Sequence, residues 1–214
     1  MKKVLALVGD YYHPADYLTE GLNSILSANY SIHVEKDYQD IPWDIINEYD
    51  LFILAASGNL MSDPKESNDM WMEDYHESQI HNFVIQGGGL LVLHSGLAGY
   101  SIDSPFRELV KGHFIQHPPN HLEIVIKPVE EHEVNNDIED FVIKDEQYFV
   151  EVDVDTIVFL KGMSKIFGPS TAGWAHNYEE GRVCCLTPGH TLEVLTNEMM
   201  TTLIKNAVNW CLNE

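Results

Sequence analysis

The sequence predicts an α/β fold, a mostly parallel central sheet flanked by helices. Three observations carry this expectation. Apolar runs of strand length recur through the first half, each closing on a polar or glycine-bearing turn. Residues at helical apolar spacing fill the gaps between them. The resulting strand–helix–strand alternation is the pattern of a parallel sheet covered on both faces.

Lys3–Val8 reads as the first buried strand, closing on Gly9-Asp10-Tyr11-Tyr12-His13-Pro14. Its five-residue apolar core is too short for a signal peptide. Leu18, Leu22, Ile25 and Leu26 recur as one face of a helix, and Ser31–Val34 is a short second strand. Leu51–Ala56 is continuously apolar, as a parallel strand buried on both sides must be, and opens into Ser57-Gly58-Asn59. Trp71, Tyr75, Ile80, Phe83 and Val84 share one side of a long helix that stops at Gly87-Gly88-Gly89. Those glycines precede a strand, so they end a helix and do not cradle a phosphate. The strand that follows, Leu90–Leu93, ends at His94-Ser95-Gly96.

The second half is less regular. His121–Lys127, Asp155–Leu160, Ala172–His176 and Arg182–Leu186 read as strands separated by turn signals, which predicts antiparallel pairing at one edge of the sheet. Glu130–Asp140 reads as a long solvated acidic loop, and Met199 to Cys211 as an amphipathic helix. With no repeat or linker, residues 1–214 are expected to form one domain.

Charge narrows the function. The 214 residues hold 34 Asp and Glu against 12 Lys and Arg, a formal net charge of −22. Such a surface repels nucleic acid and anionic lipid, and favours a neutral or cationic ligand, or an anion held only by local donors. Eleven histidines nearly match the permanent cations, so near-neutral chemistry rests on imidazole. Three cysteines, Cys184 and Cys185 adjacent, make no disulfide framework; a reducing cytoplasm and buried, inert thiols are expected. No apolar stretch approaches the ~18 residues of a membrane span.

Ligands of open parallel sheets bind beyond the carboxyl ends of the strands. Those ends here carry Gly9 to His13, Ser57-Gly58-Asn59 and His94-Ser95-Gly96. His94 at such a turn can act as acid, base or ligand. His113 and His117 are four apart, the spacing that puts two imidazoles on one helical face, although Pro118-Pro119 follow at once. His13 is expected to be exposed on the first loop, forming a near wall. Tyr148 and Trp174 suit a sugar-binding wall, or a core. Arg182, one of two arginines, is explained as readily by a structural ion pair as by function.

The segment Gly88 to Gly96 resembles the strand and turn of class I glutamine amidotransferase-like (flavodoxin-like) domains, with His94 where those enzymes carry cysteine. The ordered set Gly112-His113-Phe114-Ile115-Gln116-His117-Pro118, Asp140-Phe141, Asp145-Glu146-Gln147-Tyr148, Trp174, Gly181-Arg182-Val183 and Gly189-His190 resembles the ThuA (trehalose utilisation) family from about Lys3 to Trp210. His132-Glu133 departs from the His-Pro of relatives. The resemblance implies catalytic roles for His94, His190 and Glu146, with His190 facing His94 across the crevice. It implies a carbohydrate ligand of trehalose or 3-keto-sugar type, modified by acid/base isomerisation or elimination. A divalent metal such as zinc, on the His113 and His117 cluster, would assist. Without thiol at the turn, glutaminase activity is not expected. The alternative is a non-catalytic sugar-binding or regulatory module. A homo-oligomer is possible, and no nucleic-acid or membrane partner is expected.

Overall fold

The computed structural model describes residues 1–59 and 70–214. Helices are α1 (Ala15–Leu26), α2 (Asp74–Ile85), α3 (Pro105–Val110), α4 (Leu192–Leu195) and α5 (Glu198–Cys211). Strands in the first half are β1 (Lys3–Val8), β2 (Ser31–Glu35), β3 (Leu51–Ala55), β4 (Gly89–Leu93) and β5 (Gly112–Gln116). In the second half they are β6 (Leu122–Pro128), β7 (Phe141–Asp145), β8 (Phe149–Val152), β9 (Ile157–Ser164), β10 (Gly168–Tyr178) and β11 (Gly181–Leu186).

Nine strands form one sheet in the order β2-β1-β3-β4-β11-β10-β9-β6-β7. The parallel expectation holds from β2 to β11. Beyond β11 every pairing is antiparallel, and so is the separate β5–β8 ribbon. The sheet is therefore mixed within an α/β fold. No α-helix joins one later strand to the next, and strands joined by turns and loops pair antiparallel.

Apolar side chains lie on both faces of this sheet. Alternate residues of β1, β3 and β4 (Val4, Ala6, Ile53, Leu91) pack with Leu18, Leu22, Leu203 and Ile204 of α1 and α5. The other set (Leu5, Leu7, Phe52, Leu90, Val92) packs with Ile80, Phe83, Phe106 and Leu109 of α2 and α3. The strands read as continuous apolar runs because both sides are covered.

Three local readings differ. The helix near Trp71 starts only at Asp74, so Trp71 precedes it, stacked on Trp43, and Tyr75 faces solvent. Gly87 at φ +104° ends that helix, a conformation that favours glycine. Glu130–Asp140 is not wholly solvated. It contains a 3-10 turn, Glu133–Asn135, that buries Val134, and Asn206 of α5 donates to the carbonyls of Val134 and Asn136 at 3.2 and 2.7 Å. Among the described residues no helix is long and apolar enough to cross a membrane.

Candidate functional site

The carboxyl ends of β1, β3, β4, β7 and β11 converge at one edge of the sheet, and each contributes a polar side chain or the loop that carries one. His94 leaves β4 at φ +47° and opens the 3-10 turn His94–Leu97. That left-handed conformation costs a non-glycine residue about 1 kcal/mol or more. It is held because the ring is buried and Nδ1 donates to the Thr187 carbonyl at 2.7 Å. A carbonyl can only accept, so in the neutral ring Nε2 carries the lone pair. Gly96 makes the turn possible: a Cβ there would stand 2.2 Å from the Leu54 carbonyl oxygen.

His190 follows β11 and faces His94 across the crevice, with its Nδ1 3.2 Å from His94 Nε2. Glu146, just past β7, places Oε2 3.2 Å from His190 Nδ1 and 3.5 Å from His94 Nε2. His13 completes the group. Its Nδ1 donates to Asp10 Oδ1 at 2.7 Å, leaving Nε2 buried with no hydrogen-bond partner. Donor atoms of His13, His94, Glu146 and His190 all lie within 4.8 Å of one another.

Two further carboxylates hold this cluster. Asp10 accepts from the amides of Tyr12, His13 and Ser57 at 2.9, 3.1 and 3.0 Å, tying the β1 loop to the β3 loop. Asp145 is fully buried and accepts from the amides of Glu146, Gly189 and His190 at 2.9, 2.8 and 3.2 Å. It thereby fixes both Glu146 and His190. Sequence reasoning singled out neither Asp10 nor Asp145 among 34 acidic residues. The signal available was position, since each stands at or just beyond a strand end beside a candidate residue.

The electrostatics favour positive charge here. Burial pushes the His94 imidazole down, but Glu146, Asp145 and the Thr187 carbonyl outweigh it, so its pKa stands above the usual histidine range. Burial raises the Glu146 carboxyl, yet His190 and His94 overcome that and hold it well below the ordinary range. For His13 burial wins over Asp10, and its pKa is lowered.

A cavity of about 460 Å³ opens beside the cluster, lined by Tyr12, His13, Ser57, Asn59, Ala98, Gly99, Phe114, His117, Glu146, Tyr148 and His190. This volume lies in the range of small-molecule sites. Tyr148 is buried, its ring stacked 4.4 Å from His94 and 5.6 Å from His117.

Several sequence expectations change here. His13 is buried, not exposed. His113 and His117 share no helical face, because β5 is a strand with a register shift between Phe114 and Gln116. His113 Nδ1 accepts from Arg107 Nε at 3.3 Å, away from the cluster. His117 lines the cavity with Nδ1 3.6 Å from Glu146 Oε1, and its Nδ1 donates to the Pro118 carbonyl at 2.8 Å. Among the described residues the group that could hold a metal is therefore His13, His94, Glu146 and His190, not the His113 and His117 pair. Trp174 is core: fully buried, its indole donates to the Val110 carbonyl at 2.8 Å. Arg182 donates to the Trp210 carbonyl at 2.9 Å and stacks on that ring, a structural role, with no ion pair among the described residues. Cys184, Cys185 and Cys211 are buried free thiols, and burial pushes the first two far up.

Comparisons with known proteins agree with this architecture. A family model described as ThuA, trehalose utilisation, matches residues 4–211. A ThuA-like protein from Bacteroides uniformis ATCC 8492 superposes with TM-score 0.76 at 16% identity, over 98% of this chain and 91% of its own. A cytoplasmic protein from Salmonella typhimurium LT2 gives 0.70 at 15% identity, over 99% of each chain. The β-galactosidase from Rahnella sp. R3 gives 0.66 at 10% identity, over 98% of this chain but 31% of the enzyme. At such identities the likeness is one of fold. No curated protein matches. Since the family match spans nearly the whole chain, the protein belongs to the ThuA family.

Proposed function

We propose that this protein is an enzyme of carbohydrate utilisation that acts on a sugar of trehalose type or its 3-keto derivative, using a divalent metal such as zinc. The observation that carries the reading is the convergence of three imidazoles and one carboxylate, with the buried His13 Nε2 unpartnered. Ligands about 2.1 Å from a tetrahedral ion stand about 3.4 Å apart. The 3.2–3.5 Å spacings among His94, His190 and Glu146 suit that donor set. The outer partners agree, because ligand histidines donate their other ring nitrogen to a carboxylate or carbonyl. Asp10 fills that role for His13 and the Thr187 carbonyl for His94.

His13, His94, His190 and Glu146 would hold the ion, which when bound supplies an electrophile for a carbonyl oxygen. The remaining chemistry belongs to the chain. A carbonyl at C3 of a sugar acidifies the proton on C2, and its removal leads to isomerisation or elimination. Glu146 is ionised at neutral pH and lines the cavity, where it can take that proton, with its Oε1 3.6 Å from His117 Nδ1. Phe114 and Tyr148 supply an aromatic wall for the sugar's apolar face. We place the protein in the cytoplasm, which its free thiols favour.

The test is C2-proton exchange. Zinc-loaded protein is incubated with 3-ketotrehalose in D2O, and the C2–H signal is followed by NMR. Loss of that signal, abolished by Glu146→Gln and by His94→Ala, supports the proposal. Binding without exchange or product overturns the enzyme reading and leaves a sugar-binding module.

A further inference from the structure

The amides at strand ends are where folds of this kind usually receive a ligand's phosphate: backbone N–H groups point outward there and attract anions. In this chain those amides are taken. Asp10 occupies the first loop, and its two oxygens accept from the amides of Tyr12, His13 and Ser57. Asp145 does the same on the far side of the crevice, accepting from Glu146, Gly189 and His190. Six backbone donors on four loops thus face internal carboxylates. Both acids are anchored, with Asp10 also bonded to His13 Nδ1 and Asp145 fully buried.

The cavity also carries no permanent cation: no lysine or arginine lines it among the described residues. Arg107 is bound to Asp153, and Arg182 to the Trp210 carbonyl. Lys2, Lys36, Lys111 and Lys127 pair with Asp50, Asp16, Asp155 and Asp140.

We propose that this crevice selects uncharged sugars and rejects their phosphate esters, with Asp10 and Asp145 as built-in anions that fill the phosphate positions. This rests on the sugar reading above and deepens it. A phosphate brought to the β1 loop would meet a carboxylate where another fold offers amides, and like-charge juxtaposition is a common device for rejecting a wrong ligand.

The test is a matched set of probes: trehalose, 3-ketotrehalose and trehalose 6-phosphate, titrated calorimetrically into zinc-loaded and metal-free wild-type protein. The expected result is binding of at least one uncharged sugar, with trehalose 6-phosphate at least about thirtyfold weaker. Equal or tighter binding of trehalose 6-phosphate overturns the selectivity and leaves the sugar reading standing. Binding of none of the three overturns both. Asp10→Ser, which removes the carboxylate from the Tyr12, His13 and Ser57 amides, supplies a second readout. Relative to wild type it should gain affinity for trehalose 6-phosphate over trehalose, and an unchanged ratio counts against the role of Asp10.

Discussion

Replacing Asp10 with asparagine removes one charge and almost no volume. Asp10 Oδ1 accepts from the Tyr12 and His13 amides and from His13 Nδ1, whereas Oδ2 accepts from the Ser57 amide. An asparagine oriented to keep the first three bonds turns its NH2 toward the Ser57 amide, leaving a partly buried donor unpaired. That costs about 1–3 kcal/mol of stability. The neutral amide also accepts less strongly from His13, so Nε2 becomes a poorer ligand. Loss of such an outer partner lowers metal affinity by about 10- to 100-fold, about 1.4–2.7 kcal/mol. Chelator competition measures zinc affinity, and urea unfolding of the metal-free protein measures the structural part. A folded variant whose zinc affinity stays within about threefold of wild type would refute the idea that Asp10 prepares His13 as a ligand.

Three other outcomes follow from particular residues. Burial drives the His176 pKa down to about 4, its Nε2 donating to the Leu109 carbonyl. The unfolded chain binds this proton more readily, so His176 leaves stability intact above about pH 6.5 and removes it as pH falls toward 4, by about 3 kcal/mol in all. His176→Gln should flatten that part of the pH–stability curve measured in urea. Gly96→Ala pushes a Cβ onto the Leu54 carbonyl and should destabilise by about 1–3 kcal/mol while lowering zinc affinity, read by thermal melting and chelator competition. Incubation with glutamine should release no ammonia, since imidazole stands at the turn and the described thiols are buried; sustained release by a triple cysteine-to-alanine variant would contradict this.

Much of the parallel half was legible because burial on both faces leaves a plain mark. Lys3–Val8 is a strand over the range expected, and Leu51–Ala56 and Leu90–Leu93 differ from β3 and β4 by one residue each. His94 was found because it stands on the turn that closes an apolar strand, where open sheets receive their ligands. The β5–β8 ribbon and β7 escaped notice. Phe141–Asp145 ends its inward set on a charged residue, Asp145, and turns the apolar Val142 outward, and Gly112–Gln116 carries no clean alternation. The i, i+4 spacing of His113 and His117 misled, because the register shift that separates them depends on pairing with β8. His13 looked exposed because it sits in a polar, Pro-bounded loop. Its burial comes from His94 and His190, whose rings lie 4.9 and 4.8 Å away, contacts between residues remote in sequence. Glu146 was reachable only through the family resemblance.

The central claim is that His13, His94, His190 and Glu146 form one metal centre. X-ray absorption at the zinc edge on the loaded protein tests it most directly, with His13→Ala, His94→Ala and His190→Ala measured alongside. One zinc per chain is expected, with a shell of imidazole nitrogens and an oxygen donor, and loss of one imidazole in each variant. Zinc that fails to bind, or a shell unchanged in all three variants, would contradict it.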